Sequence, residues 1–292
     1  MSDKTKIFGI GISGLVGSRI IELLPQFTFD NLSLDTGVNI TDPSTLSVIR
    51  DDKDHSVVLH LAAKADVDGC EKDKPLGKEG AAYKINVLGT KNVVEASKAA
   101  NKKIIYISTD FVFDGKQAPE GGYKEEDTPN PIGWYGQTKL EGEDIVRNSG
   151  LSYVIVRIAY PFQKDAFALK KDFYHAIKDR LVAGQPVTGI TDHIMTPTYL
   201  DDIAAALGKL IEVDAQGTYH VVGSQSLSPY EAALTISETF GYDKNLISKT
   251  TRADFFKDRA PRPFDLTMNN GKIVELGVKL QGFREALKSF YI

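Results

Sequence analysis

A single cysteine, Cys70, stands among 292 residues, which excludes an intrachain disulfide framework and a cysteine-based metal site. That scarcity fits a reducing environment, and a cytoplasmic location is the expectation. Histidine is scarce too: His55, His60, His175, His193 and His220 lie scattered without metal-ligand spacing, and no metal is expected. No segment reaches the ~20 apolar residues that a membrane span requires. Met1 to Leu24 has the outline of a signal peptide, with Lys4 and Lys6 ahead of an apolar run, but Arg19 and Glu22 interrupt it and its glycines suit a strand–turn–helix. Neither sign of charge dominates. The 35 Lys and Arg against 39 Asp and Glu leave a net charge of −4, which argues against nucleic acid or an anionic membrane as a partner. A Gly-x-Ser-x-Gly elbow, internal repeats and low-complexity tracts are absent, which leaves a hydrolase or solenoid reading without support.

What is present reads as an ordinary globular chain, 42% hydrophobic and 25% charged, long enough for one large or two smaller domains. Ile7 to Ile10 is a short apolar strand, and Gly11-Ile12-Ser13-Gly14-Leu15-Val16-Gly17 leads into helical periodicity from Ser18 to Leu24. Glycines at this spacing turn the backbone tightly and bring its N–H groups to a pyrophosphate, so the stretch predicts a dinucleotide site. Leu32 to Leu34 predicts a second strand ending at Asp35. An acid there binds adenosine ribose hydroxyls and repels a 2′-phosphate, which tilts the cofactor reading of NAD(P)H toward NADH. Asp42 and Pro43 open a helix running to about Arg50. Ser56 to Leu61 is a buried strand, and the small residues Leu61-Ala62-Ala63 after it permit close approach of a cofactor. Asp66, Asp68 and Glu71 read as a solvated loop at the substrate edge, and Tyr83 to Ala100 as an amphipathic helix with Asn86 and Gly89 inside it.

The stretch from Lys103 to Glu143 holds the chemistry. A strand, Ile104 to Ile107, ends in Ser108-Thr109-Asp110, and a loop leads to Tyr135-Gly136-Gln137-Thr138-Lys139. Four-residue spacing sets Tyr135 and Lys139 on one helix face. A lysine beside it is expected to draw the tyrosine phenol below its usual value, so that it exchanges a proton with a ketone or alcohol near neutral pH. Tyr-x-x-x-Lys occurs three times, as Tyr135/Lys139, Tyr160/Lys164 and Tyr174/Lys178. Pro161 disfavours a helix at Tyr160, and Tyr174 lacks a preceding strand with a hydroxyl end, so Tyr135 carries the reading. Tyr153 to Ile158 is a further strand. Alternating strands and helices with short connections predict an α/β fold, a Rossmann-type doubly wound parallel sheet. Beyond Pro161 the rhythm changes: Lys164 to Ala183 reads as a helix, Pro186 to Thr191 and Thr218 to Val222 as strands, and Ser228-Pro229-Tyr230-Glu231 as a capped helix start. The expected division is residues 1–162 for the dinucleotide, with 192–224 returning to that unit, and a smaller mixed region, 163–191 and 225–292, for the substrate. Arg259 and Arg262 form a basic stretch suited to a substrate phosphate.

Together these strings resemble the extended short-chain dehydrogenase/reductases, and among them the dTDP-4-dehydrorhamnose reductase family, over essentially the whole chain. The resemblance rests on Gly11-x-x-Gly14-x-x-Gly17, Leu61-Ala62-Ala63 with Ala65-Asp66-Val67-Asp68, and Asn86-Val87-x-Gly89-Thr90. It continues through Ser108-Thr109-Asp110-Phe111-Val112-Phe113-Asp114-Gly115, Tyr135-Gly136-x-x-Lys139, Arg157, Thr196-Pro197-Thr198 and Tyr219-His220-Val221-Val222-Gly223. It implies reduction of the C4 ketone of a 4-keto-6-deoxy nucleotide sugar, with Tyr135 as proton donor, Lys139 on the nicotinamide ribose and Thr109 orienting the ketone. It also implies a cofactor site of Gly11, Ser13, Gly14, Leu15, Val16, Gly17, Asp35, Leu61, Ala62, Ala63, Ser108, Tyr135 and Lys139. The substrate would meet Asp66, Val67, Asp110, Phe111, Val112 and Arg262. The chain departs from the family in two places. Ala159-Tyr160-Pro161-Phe162 replaces a Ser/Ala-Trp-x-Tyr string, and Arg19 stands where some members carry a magnesium-binding glutamate. A nucleotide-sugar epimerase or dehydratase, and a non-catalytic cofactor-binding subunit like the beta subunit of methionine adenosyltransferase, remain alternatives; a homodimer is the assembly kept open.

Overall fold

The computed structural model describes residues 4–291; residues 1–3 and 292, the outer ends of the two expected regions, lie outside the described residues. The strands in chain order are β1 (Lys6–Ile10), β2 (Thr28–Leu32), β3 (Val57–His60), β4 (Lys103–Thr109), β5 (Tyr153–Ile158), β6 (Pro161–Phe162), β7 (Val187–Ile190), β8 (Thr198–Tyr199), β9 (Gly217–His220) and β10 (Ile247–Thr250). Six of them form one sheet in the order β2-β1-β3-β4-β5-β9, every pair parallel. From β1 the chain moves outward to β2 and then crosses back to β3. The strand order reverses there, and in open α/β sheets ligands bind in the crevice beyond the strand ends at such a point.

Both faces of this sheet are covered, so its strands are near-continuous apolar runs rather than alternating ones. Side chains alternate between faces along each strand. Ile7, Leu59, Ile105, Ile107 and Val156 meet Leu200, Ile203, Leu207 and Leu210 of the Leu200–Glu212 helix on one face. Phe8, Ile10, Val58, Ile104 and Ile155 meet Val93, Val94 and Val146 on the other. A separate aromatic cluster joins Phe162, Tyr174, Tyr199, Phe283 and Phe290, beside the two-stranded pairs β6–β8 and β7–β10. Tyr174 is thus a packing residue. Among the described residues no helix is long and apolar enough to cross a membrane.

Three local expectations change. The second strand stops at Leu32, and Leu34–Thr36 is a 3-10 turn. The Thr36 hydroxyl accepts from the Ser33 N–H at 2.9 Å and donates to the Asn31 carbonyl at 3.2 Å, so local side-chain bonds displace the sheet ladder. Residues 163–172 are not helical; the helix begins at Phe173. Asp172 decides that boundary, its carboxylate accepting from the His175 N–H at 2.8 Å and from the Gln163 N–H at 3.2 Å. The segment from Pro43 to Arg50 divides into a 3-10 turn and one short helical piece. Within the long helix from Ala81 to Ala99, Lys84–Gly89 is a π-helical stretch, a form common at functional sites. It turns Asn86 inward, where its amide accepts from the Lys64 N–H at 2.8 Å and donates to the Lys64 carbonyl and Thr138 hydroxyl at 3.1 and 3.0 Å.

Candidate active site

The glycines at the end of β1 set how closely the crest of the sheet can be approached. Gly11 has φ +77°, and a Cβ there would lie 2.8 Å from the Ala62 backbone. A Cβ on Gly17 would lie 2.3 Å from the Ile12 Cα. Turn, strand end and helix are therefore drawn together more tightly than side chains allow. The N-terminus of the Leu15–Leu23 helix, capped at Gly14, opens onto a cleft of about 930 Å³.

Most of the residues singled out from sequence line this one cleft. Gly11, Ser13, Gly14, Leu15, Val16 and Gly17 contribute from the turn, Asp35 from the 3-10 turn after β2, and Leu61, Ala62, Ala63 and Val67 from beyond β3. Ser108, Thr109, Asp110 and Phe111 contribute from the end of β4, Tyr135 and Lys139 from the Trp134–Arg147 helix, and Arg262 from the C-terminal part. Two are elsewhere. Asp66 is exposed at the start of the Val67–Asp73 helix, and Val112 is fully buried with Phe113, Tyr123 and Leu266. The cleft also takes in Asn39, Thr41, Ile158, Tyr160, Lys170 and Phe256. Apart from Tyr160, these carry no motif; only their place in the folded chain brings them there.

The tyrosine is placed by close contacts. A Cβ on Gly136 would stand 2.1 Å from the Phe111 carbonyl oxygen, so the first turn of the helix rests directly on the loop after β4. Glu71 accepts from the Trp134 N–H at 2.7 Å, an acid satisfying the N-terminus of the helix that carries Tyr135. The solvated-loop expectation for Asp66, Asp68 and Glu71 therefore gives way to a helix with structural ties. Asp68 accepts from Arg259 Nε at 2.8 Å, from Arg262 Nη2 at 2.9 Å and from the Ala260 N–H at 3.1 Å. Both arginines are thus already opposed by a carboxylate, and Arg262 also stacks over Phe256, 4.7 Å from the ring centroid.

Electrostatics at the crest are those of buried groups. Thr109 donates to Asp110 Oδ1 at 2.9 Å, and Phe111 N–H points at the Thr109 oxygen at 3.3 Å. Lys139 Nζ donates to the Ile107 carbonyl at 2.8 Å and lies 3.9 Å from the Tyr106 ring centroid. Burial lowers the Lys139 pKa to about 7, with Glu143 opposing. Burial raises Asp110 to about 7, with the Thr109 contact opposing. Burial also raises the Tyr135 phenol above its ordinary value; Thr109 pulls it back and Asp110 adds to the rise. The expectation that Lys139 draws this phenol down is reversed here, because the ammonium is turned to a carbonyl and an aromatic face. Asp110 Oδ2 and Ser108 Oγ, both buried, have no hydrogen-bond partner among the described residues, which is costly unless a ligand completes them.

Tyr160 is a strained member of the lining. It has φ +41°, a conformation rare for a bulky residue and opposed by the following proline, costing about 1–3 kcal/mol. Among the described residues the other non-glycine positive φ values fall on Asn101, Asp214 and Asp258, residue types that adopt them readily. Arg19 makes a two-pronged pair with Asp201, both contacts at 2.7 Å, and a third contact with Glu22 at 2.8 Å.

Comparison with known proteins agrees with this architecture. The chain is 30% identical over 277 residues to the probable low-salt glycan biosynthesis reductase Agl14 of Haloferax volcanii, covering 90% of each chain. It is 28% identical over 265 residues to methionine adenosyltransferase 2 subunit beta of Bos taurus, covering 87% of this chain and 76% of that one. The crystal structure of dTDP-4-dehydrorhamnose reductase from Bacillus anthracis str. Ames in complex with NADP superposes with a TM-score of 0.88 at 29% identity, covering 99% of both chains. Residues 5–292 match the family described as RmlD substrate binding domain, and the chain belongs to that family.

Proposed function

We propose that the protein is a nicotinamide-dependent reductase of the C4 ketone of a 4-keto-6-deoxy nucleotide sugar. The observation that carries this reading is the convergence of Thr109, Tyr135 and Lys139 with the glycine turn on a single cleft. A dinucleotide fits its deep end, since Gly11, Gly14 and Gly17 line it with backbone free of side chains and a helix N-terminus faces the cleft to receive a pyrophosphate. Gly11, Ser13, Gly14, Leu15, Val16, Gly17, Leu61, Ala62, Ala63 and Ser108 would hold it, and the exposed Asp35 would meet the adenosine ribose and favour NADH. The related reductase was crystallised with NADP, and the ratio of NADH to NADPH use decides between the two cofactors.

The nicotinamide, when bound, supplies the hydride. The chain supplies the proton and the geometry. Because burial holds the Tyr135 phenol up, it is protonated throughout the neutral range and serves as the acid that protonates the ketone oxygen as the alcohol forms. Lys139 would bind the nicotinamide ribose; with its pKa at about 7, it gains or loses a proton at little cost. Thr109 would orient the ketone once its hydroxyl rotates away from Asp110, and Phe111 would border the sugar. Residues 163–191 and 225–292 would form the substrate-facing wall, with Lys170 and Arg262 nearest a diphosphate.

The test is oxidation of NADH and of NADPH with dTDP-4-dehydro-6-deoxy-L-mannose generated in place. Rapid substrate-dependent loss is expected; absence of turnover with any 4-keto-6-deoxy nucleotide sugar would overturn the reading. The likeness to a methionine adenosyltransferase subunit supports a second one, a cofactor-binding subunit without turnover, for which co-purification with a synthetase is the matching measurement. A dehydratase is less well supported, since Phe111 rather than a glutamate follows Asp110.

A further inference from the structure

The strained Tyr160 is tied by its hydroxyl to a buried histidine, and the direction of that bond can be read. His193 is 1% exposed. Its Nδ1 lies 2.7 Å from the Pro263 carbonyl oxygen, a group that only accepts, so Nδ1 carries the proton. Its Nε2 lies 2.7 Å from the Tyr160 hydroxyl. Burial holds the imidazole pKa down, helped by the nearby Arg262 and Arg252, so the ring is neutral and Nε2 is bare. The Tyr160 proton therefore points at His193, and any further hydrogen bond to the phenolic oxygen can only be accepted by it.

The backbone is held as firmly. Thr198 donates its hydroxyl to the Ala159 carbonyl at 2.8 Å and its N–H to the Tyr160 carbonyl at 3.4 Å, and β6 begins at the next residue. Asp110 adds to the rise in pKa of both Tyr160 and Tyr135, so one carboxylate influences both phenols that line the cleft. The charged and titratable groups acting on the Tyr160–His193 pair are Asp110, Arg262, Arg252 and Asp192.

From this we infer that Tyr160 is a specificity-determining residue that accepts a hydrogen bond from a sugar hydroxyl, and that His193 is the positioning residue that keeps it acceptor-only. This deepens the reductase reading and rests on it for the identity of the ligand. A tryptophan at this place could only donate through its indole N–H, whereas Tyr160 tied to His193 can only accept. The ring selected would offer a hydroxyl to Tyr160, whereas a carbonyl, ether or fluorine there would meet lone pairs with lone pairs.

Two measurements test it. In the whole protein labelled with ¹⁵N, the His193 ring signals, assigned by their loss in His193→Gln, should show a protonated Nδ1 and a bare Nε2; a proton on Nε2 would overturn the inference without any substrate being involved. Calorimetry should then compare dTDP-L-rhamnose with its 2-deoxy-2-fluoro and 3-deoxy-3-fluoro analogues. Tyr160→Phe should weaken the parent sugar roughly three- to tenfold, as loss of one neutral hydrogen bond does, and leave one of the fluoro analogues unchanged. His193→Leu, which frees the phenol to donate, should improve that same analogue relative to the parent. Equal losses for all three sugars, or none, would overturn the assignment. A wild-type protein that binds no dTDP sugar would instead count against the reductase reading, while the histidine signals still decide the polarity of Tyr160.

Discussion

Two buried polar clusters stand one helical turn apart on the Trp134–Arg147 helix, and they differ in how completely their bonds are made. Glu143 is fully buried and accepts from Arg157 Nε and Nη2 at 2.9 and 2.7 Å and from Arg147 at 3.2 Å. Arg157 spends its remaining nitrogen on His220 Nε2 at 3.2 Å, and His220 Nδ1 faces the carbonyls of Tyr123 and Asn269. Each group in that cluster is opposed by protein. Around Lys139 the opposite holds: Asp110 Oδ2 and Ser108 Oγ are buried without a partner, and Asp110 and Lys139 both sit near a pKa of about 7. Burial alone therefore does not mark a functional site. Burial with bonds left unmade on the wall of a cleft does, since those atoms are costly until a ligand arrives.

The sharpest way to break this comparison is Tyr135→Phe. Removing a proton donor and almost no volume should lower kcat roughly 10²- to 10⁴-fold while NADH binding, followed by fluorescence titration, stays within about twofold. A variant with near-normal turnover would remove Tyr135 from the chemistry. At the other cluster, Glu143→Leu strands the Arg157 charge and should destabilise the fold by about 3–5 kcal/mol, read from the denaturant midpoint. A loss below about 1 kcal/mol would show that the complete cluster is not structural.

Asp110→Asn sharpens the contrast through pH. The folded pKa of Asp110 is raised from 3.8 to about 7, so the folded state binds the proton more tightly than the unfolded one. Its contribution is fully present below pH ~3.8 and is lost as pH rises through about 7. The asparagine variant should therefore gain more over wild type at pH 8 than at pH 5, by roughly 2–3 kcal/mol in urea unfolding at the two pH values. An equal gain at both would mean that the carboxylate titrates normally. The smallest effect is at the exposed edge. Asp35→Ala should shift relative kcat/KM toward NADPH by about tenfold or less, and an unchanged ratio would remove Asp35 from cofactor choice.

The contrast also explains what could be read before folding. The parallel sheet was legible because strands covered on both faces are apolar along their whole length, as in Ile104-Ile105-Tyr106-Ile107. The glycine turn was legible because a positive φ and a close backbone approach need glycine at named spacings. The end of β2 was not, since Ser33 and Thr36 close a local turn that no periodicity announces. The helix expected from Lys164 was shortened by a carboxylate eight residues beyond its supposed start that captures both Gln163 and His175. Glu71 looked like a solvated acid because the helix it caps begins 63 residues later in the chain.

What the amino-acid order determined by itself was local: strand periods, the glycine cradle, and the four-residue step that sets Tyr135 and Lys139 on one helix face. Tertiary structure alone decided where charges and protons go. Lys139 turns to Ile107 rather than to Tyr135, Asp68 opposes Arg259 and Arg262, and His193 fixes the proton of a tyrosine 33 residues away. The reason is physical. Backbone conformation depends on neighbours a few residues off, whereas the state of a buried ionisable group depends on every atom that replaces its water.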